Sequence, residues 1–123
     1  MAEILIIDDD PHIRRLMSRI LRGAGHTVRE ATDGRSGLEL FRERLPALVI
    51  TDIVMPDQEG IETILELRRD APSLPILAIS GGEGGYLRLA IGLGATEALA
   101  KPFGADELLA AVVKLLVTPQ PPE

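Results

Sequence analysis

The 123-residue chain has no cysteine and no tryptophan, a single tyrosine (Tyr86) and two phenylalanines (Phe41 and Phe103). Without cysteine it has no disulfide, no thiolate metal ligand and no cysteine nucleophile, which suits a reducing compartment. Three aromatic rings are too few for the stacking platforms that grip single-stranded nucleic acid. Bases are in the minority: 13 Lys and Arg against 19 Asp and Glu leave a formal net charge of −6. That balance repels phosphate backbones and argues against direct nucleic-acid binding. Long apolar runs are missing too, falling far short of the roughly 20 residues a membrane span needs. The opening Met-Ala-Glu does not begin a secretory signal. The expectation is a cytoplasmic protein with no membrane partner.

Apolar residues make up 46% of the chain, enough for one core in one domain of this size. They fall in short runs that alternate with segments of helical period. Ile4 to Ile7 is a β-branched-rich run that suits a strand buried on both faces. Asp10 followed by Pro11 reads as an N-cap and first-turn proline. Ile13, Leu16, Met17, Ile20 and Leu21 then repeat at helical spacing, and Gly23 stands where that helix would stop. The unit recurs with strands at His26 to Ala31, Ala47 to Thr51, Leu74 to Ile79 and Thr96 to Ala100. Helices follow at Gly34 to Leu45, from Ile61 through Arg68, from about Tyr86 to Leu93, and at Ala105 to Val117. Five strand-helix units in strict alternation imply a doubly wound α/β domain, with helices on both faces of a parallel sheet. The domain is expected to occupy residues 1–117, with 118–123 a proline-rich flexible tail and no output domain after it.

The polar residues fall where such a sheet binds ligands, beyond the carboxyl ends of its strands. Asp8 and Asp9 follow the first apolar run, Asp52 the third and Lys101 the fifth, while Ser80 ends the fourth. Three clustered carboxylates repel one another, and one lysine cannot neutralise them. A hard divalent cation with oxygen ligands relieves that repulsion, and Mg²⁺ also binds phosphate oxygens. Asp52 could then attack a phosphoryl donor and form an acyl phosphate. Lys101 would balance charge on the phosphoryl oxygens, with the Ser80 hydroxyl donating to one of them. Arg14, Arg15, Arg19 and Arg22 read as the solvated side of the first helix, and Asp57 and Glu59 as capping or solvated residues of the third.

The runs EILIIDDDP (3–11), LVITDIVMPDQEG (48–60), LPILAISGG (74–82) and ALAKPF (98–103) resemble the landmark segments of response-regulator receiver domains, in order and spacing. The resemblance covers essentially the whole chain. It implies a five-stranded sheet of order 2-1-3-4-5 flanked by five helices. It also implies that Asp52 is the phosphoacceptor and that Asp8, Asp9, Asp52 and the backbone carbonyl of Val54 hold Mg²⁺. Asp9 is then the direct ligand of the acidic pair, and Asp8 acts through water. Ser80 matches the Ser/Thr that turns toward the phosphoryl group and Lys101 the family lysine, with Pro102 usually following through a cis bond. The implied partners are a histidine kinase or phosphotransfer protein upstream and an unidentified protein downstream.

One position departs from the pattern. Three residues before the lysine the family often carries Tyr, Phe or His, where this chain has Ala98. A methyl group has no rotamer to switch, so the signal would have to leave by another route, for which the glycines at 81, 82, 84 and 85 are the candidate. Two other readings stand beside the phosphorylatable receiver. One is a docking module that works without phosphorylation. The other is a Mg²⁺-dependent phosphohydrolase, which Val54 disfavours because no acid lies two residues past Asp52.

Overall fold

The computed structural model describes residues 2–53, 59–81 and 84–117. Its elements alternate without exception: β1 (Glu3–Ile7), α1 (Pro11–Gly23), β2 (Thr27–Ala31), α2 (Gly34–Glu43), β3 (Leu48–Asp52), α3 (Glu59–Asp70), β4 (Ile76–Ser80), α4 (Gly84–Leu93), β5 (Glu97–Ala100) and α5 (Ala105–Val117). The strands form one parallel sheet of order β2-β1-β3-β4-β5. The order reverses at β1, which lies between β2 and β3, so the crevice at its carboxyl end is the switch point of the fold.

The two-residue period of a strand divides the apolar residues between two cores. Ile4 and Ile6, with Leu48, Ile50, Leu77 and Ile79, pack with Met17 and Leu21 of α1 and Leu108, Val112 and Leu115 of α5. Leu5 and Ile7, with Val49, Ile76 and Ala78, pack on the other face with residues of α2, α3 and α4. β3 and β4 are buried along their whole length, as expected for the interior of a sheet covered on both sides.

Element ends differ from the sequence reading for local reasons. Gly23 remains helical, and the left-handed residue past α1 is Gly25 at φ 96°. α2 stops at Glu43 rather than Leu45, because Arg44 is extended and Leu45 precedes Pro46. β4 begins at Ile76 rather than Leu74, since Pro75 has no N–H for the ladder, although its carbonyl accepts from Val49. β2 and β5 each start one residue late and β3 runs on to Asp52, while α4 starts at Gly84. Arg68, at core register on α3, serves as a clasp. Its guanidinium donates to the Gly94 carbonyl at 2.7 and 3.0 Å and to the carbonyls of Ala71 and Pro72. The expected tail at 118–123 lies outside the described residues.

Candidate functional site

Parallel register brings five polar side chains to one edge of the sheet. Ile7 stands opposite Thr51 and Asp52 opposite Ile79, while Ser80 stands opposite Ala100. Asp8 and Asp9 therefore leave β1 beside Asp52, the last residue of β3, and Lys101 leaves β5 beside Ser80. Asp8, Asp9 and Asp52 each offer a carboxylate oxygen, all within 4.8 Å of one another. Lys101 Nζ lies 2.9 Å from Asp52 Oδ2 and 3.6 Å from Asp8 Oδ2. Asp8, Asp52 and Ser80 are buried, whereas Asp9 is exposed at the rim. Asp10 has a different task, since its Oδ1 accepts from His12 N at 2.9 Å and caps α1. The Lys101–Pro102 bond is cis.

The electrostatics follow from this crowding. Burial pushes the Asp8 carboxyl up to about 6, and the charges of Asp52 and Asp9 add to the rise. The backbone N–H of Asp10, 2.9 Å from Asp8 Oδ1, and the Lys101 ammonium pull the other way. Burial alone would lower the Lys101 pKa, but its hydrogen bond and attraction to Asp52, with the charge of Asp8, raise it on balance. The lysine thus stays cationic at neutral pH. Among the described residues Asp8 Oδ2 and Ser80 Oγ have no hydrogen-bond partner, although both are polar atoms sealed from solvent. All-oxygen donors, excess negative charge and an unsatisfied buried carboxylate oxygen fit a hard divalent cation. Val54 and the Met55-Pro56 pair lie outside the described residues, so the expected carbonyl ligand has no counterpart among the positions above.

Two residues that matter here were not legible as site residues. Arg14 is no part of a solvated face, its side chain being 12% exposed. Its Nη1 donates to the Asp8 carbonyl at 2.9 Å, and its Nε pairs with Glu30 at 3.2 Å. It therefore pins the backbone from which Asp8 projects. The sequence signal was faint: an acid in the neighbouring strand and an arginine four residues past a cap. Gly60 is the other. A Cβ there would lie 2.6 Å from Ile53 Cα and 2.7 Å from the Asp52 carbonyl oxygen. Only glycine lets the first turn of α3 close on the end of the strand that carries Asp52.

The described chain has no helix long and apolar enough to cross a membrane. Residues 4–113 match the profile of the response regulator receiver domain. Response regulator MprA of Mycolicibacterium vanbaalenii is 37% identical over 116 residues, which is 94% of this chain and 50% of that protein. The chain spans about half the length of the curated relatives it matches. Among solved structures, the receiver domain of NtrX from Brucella abortus superposes with a TM-score of 0.90 at 36% identity, covering 94% of this chain and 98% of that one. A response regulator receiver domain protein from Clostridium thermocellum gives a TM-score of 0.88 at 31% identity, covering 94% of both chains. A match over nearly the whole domain, on a fold that gathers three aspartates and a lysine at its switch point, makes the chain a member of the response-regulator receiver family, the signalling domain of two-component systems.

Proposed function

We propose that the chain is a receiver that takes a phosphoryl group on Asp52 from a histidine kinase or phosphorelay protein and signals through protein contacts. The observation that carries this reading is Asp52 at the floor of the acid cluster, its Oδ2 held 2.9 Å from the Lys101 ammonium. In the proposed step a carboxylate oxygen of Asp52 forms a bond to phosphorus. The bond from phosphorus to the donor nitrogen breaks, and the imidazole leaves with its electron pair. Lys101 faces the charge that moves from the carboxylate to the phosphoryl oxygens. The unpartnered Ser80 hydroxyl is a ready donor to one of those oxygens. Asp8, Asp9 and Asp52, with the Val54 carbonyl, would hold Mg²⁺, which supplies charge neutralisation for the incoming phosphoryl group. The proposed receiver domain occupies residues 1–117.

Incubation with Mg²⁺ and acetyl phosphate, followed by intact-mass measurement, tests the reading. The wild-type chain should gain one phosphoryl group and Asp52→Asn none. An equal gain in Asp52→Asn would remove Asp52 as the acceptor. One observation favours a second reading, docking without phosphorylation. Ala98, opposite Ala78 in the β4–β5 ladder, presents only a methyl group where the family often has a ring. Beryllofluoride that occupies Asp52 without shifting backbone amides in 80–93 or elsewhere would favour that module.

A further inference from the structure

Four of the chain's 13 basic residues lie on α1, which carries no acid, in a protein of net charge −6. Arg14 is committed to Asp8 and Glu30, and Arg22 donates to the Val28 carbonyl at 3.0 Å. Arg15 and Arg19 are exposed and form no ion pair or hydrogen bond among the described residues. Arg42, Arg44 and Arg69 on other surfaces each meet a carboxylate. The two unpaired guanidinia border a hollow of about 370 Å³ that Ser18, Arg22 and Glu30 complete. Ser18 is 3% exposed and its hydroxyl has no partner among the described residues. An unsatisfied hydroxyl buried in mid-helix is a cost that alanine would avoid. Glu30 is the one acid of the hollow, and its charge is already met by Arg14 at 3.2 Å and Arg22 at 4.0 Å.

We propose that the α1–β2 hollow is a second anion site, binding a diphosphate group through Arg15, Arg19 and the Ser18 hydroxyl. Arg15 and Arg19 are rooted one helical turn apart, about 6 Å along the axis between their Cα atoms. A planar guanidinium fork fits a tetrahedral oxyanion bidentately, so two forks rooted at that spacing match two linked phosphoryl groups. Ser18, three residues after Arg15 and one before Arg19, lines the same hollow and adds an O–H donor. The site is separate from the acid cluster, whose charge repels anions when no cation is present.

Inorganic pyrophosphate titrated in Mg²⁺-free, low-salt buffer and followed by backbone amide shifts tests the proposal. Saturable shifts are expected at 15–22 and 28–30, and they should persist in Asp52→Asn. The Arg15→Gln/Arg19→Gln double variant should bind at least about tenfold more weakly, and added salt should weaken the wild type. Ser18→Ala separates binding from packing: it should melt higher than the wild type yet bind pyrophosphate several-fold more weakly. Shifts confined to the acid cluster would overturn the site, as would equal binding by the double variant. Citrate binding as tightly as pyrophosphate would overturn the phosphate assignment.

Discussion

β3 and β5 both deliver a charged side chain to the same ion pair, yet they are held very differently. Every residue of β3 is buried, with β1 on one side and β4 on the other. β5 has no fully buried residue and a single neighbour in the sheet. The carboxylates are therefore placed by a core that cannot give, with Asp8 further pinned through Arg14. The ammonium that answers them hangs from a half-exposed edge. Under the proposed phosphorylation, in which a phosphoryl group would replace the carboxylate as the lysine's partner, this division is an advantage: a rigid acceptor and a lysine free to follow the charge.

The largest effect should come from forcing the rigid side. In Gly60→Ala the new methyl group meets backbone atoms at 2.6 and 2.7 Å, and backbone cannot swing aside as a side-chain tip can. A loss of about 3 kcal/mol in unfolding free energy is expected. Gly104→Ala is the counterpart past β5, where a Cβ meets only Glu107 Oε1 at 3.8 Å, and it should stay within about 0.5 kcal/mol of the wild type. Urea midpoints at constant slope measure both. Similar losses in the two variants would mean that the two ends are equally constrained.

Removing the cation should cost less. Lys101→Met leaves the Asp8 and Asp52 carboxylates without their ammonium, and breaking a buried pair one-sidedly is the expensive way to break it. The lysine side chain is 21% exposed, so water recovers part of the cost and about 2 kcal/mol is expected near neutral pH. The loss should shrink in acid, where the raised Asp8 carboxyl takes up a proton. An undiminished loss at low pH would point to packing of the lysine stem instead.

How much of this was legible beforehand depends on the kind of signal each residue carried. The alternation of apolar runs and helical periods marks all five strand-helix units, because a two-sided sheet demands continuous apolar strands. Asp8, Asp9, Asp52, Ser80 and Lys101 were readable because each stands at a strand's carboxyl end, and parallel topology makes those ends converge. Ends of elements were less readable where proline intervenes, as at Pro46 and Pro75. Arg14 left only a faint signal and Gly60 none. Their roles arise from contacts across the chain, with Glu30 and with the Ile53 backbone, and no local pattern encodes which arginine turns inward. Strand order likewise came from the family resemblance, since alternation alone permits several windings.

The smallest effect carries the opposite sign and bears on why the rigid side is built this way. Asp8 is buried, and its carboxyl is raised from 3.8 to about 6, chiefly by that burial. A raised acid binds its proton more tightly when folded. Its stabilising contribution is therefore complete below the unfolded value and is lost as pH rises through about 6. Near neutral pH the metal-free protein holds a charge it would be more stable without. Asp8→Asn removes the charge but keeps the Oδ1 acceptor for the Asp10 amide, while Lys101 keeps Asp52 at 2.9 Å. In chelator near pH 7.5 the variant should unfold about 1–2 kcal/mol later than the wild type, the gap closing toward about pH 4. Added Mg²⁺ should then stabilise the wild type more than the variant, since only the wild type keeps the full acid cluster. A wild type already the more stable in chelator would show that Lys101 offsets the buried charge completely. The acid cluster would then impose no stability cost for a cation to relieve.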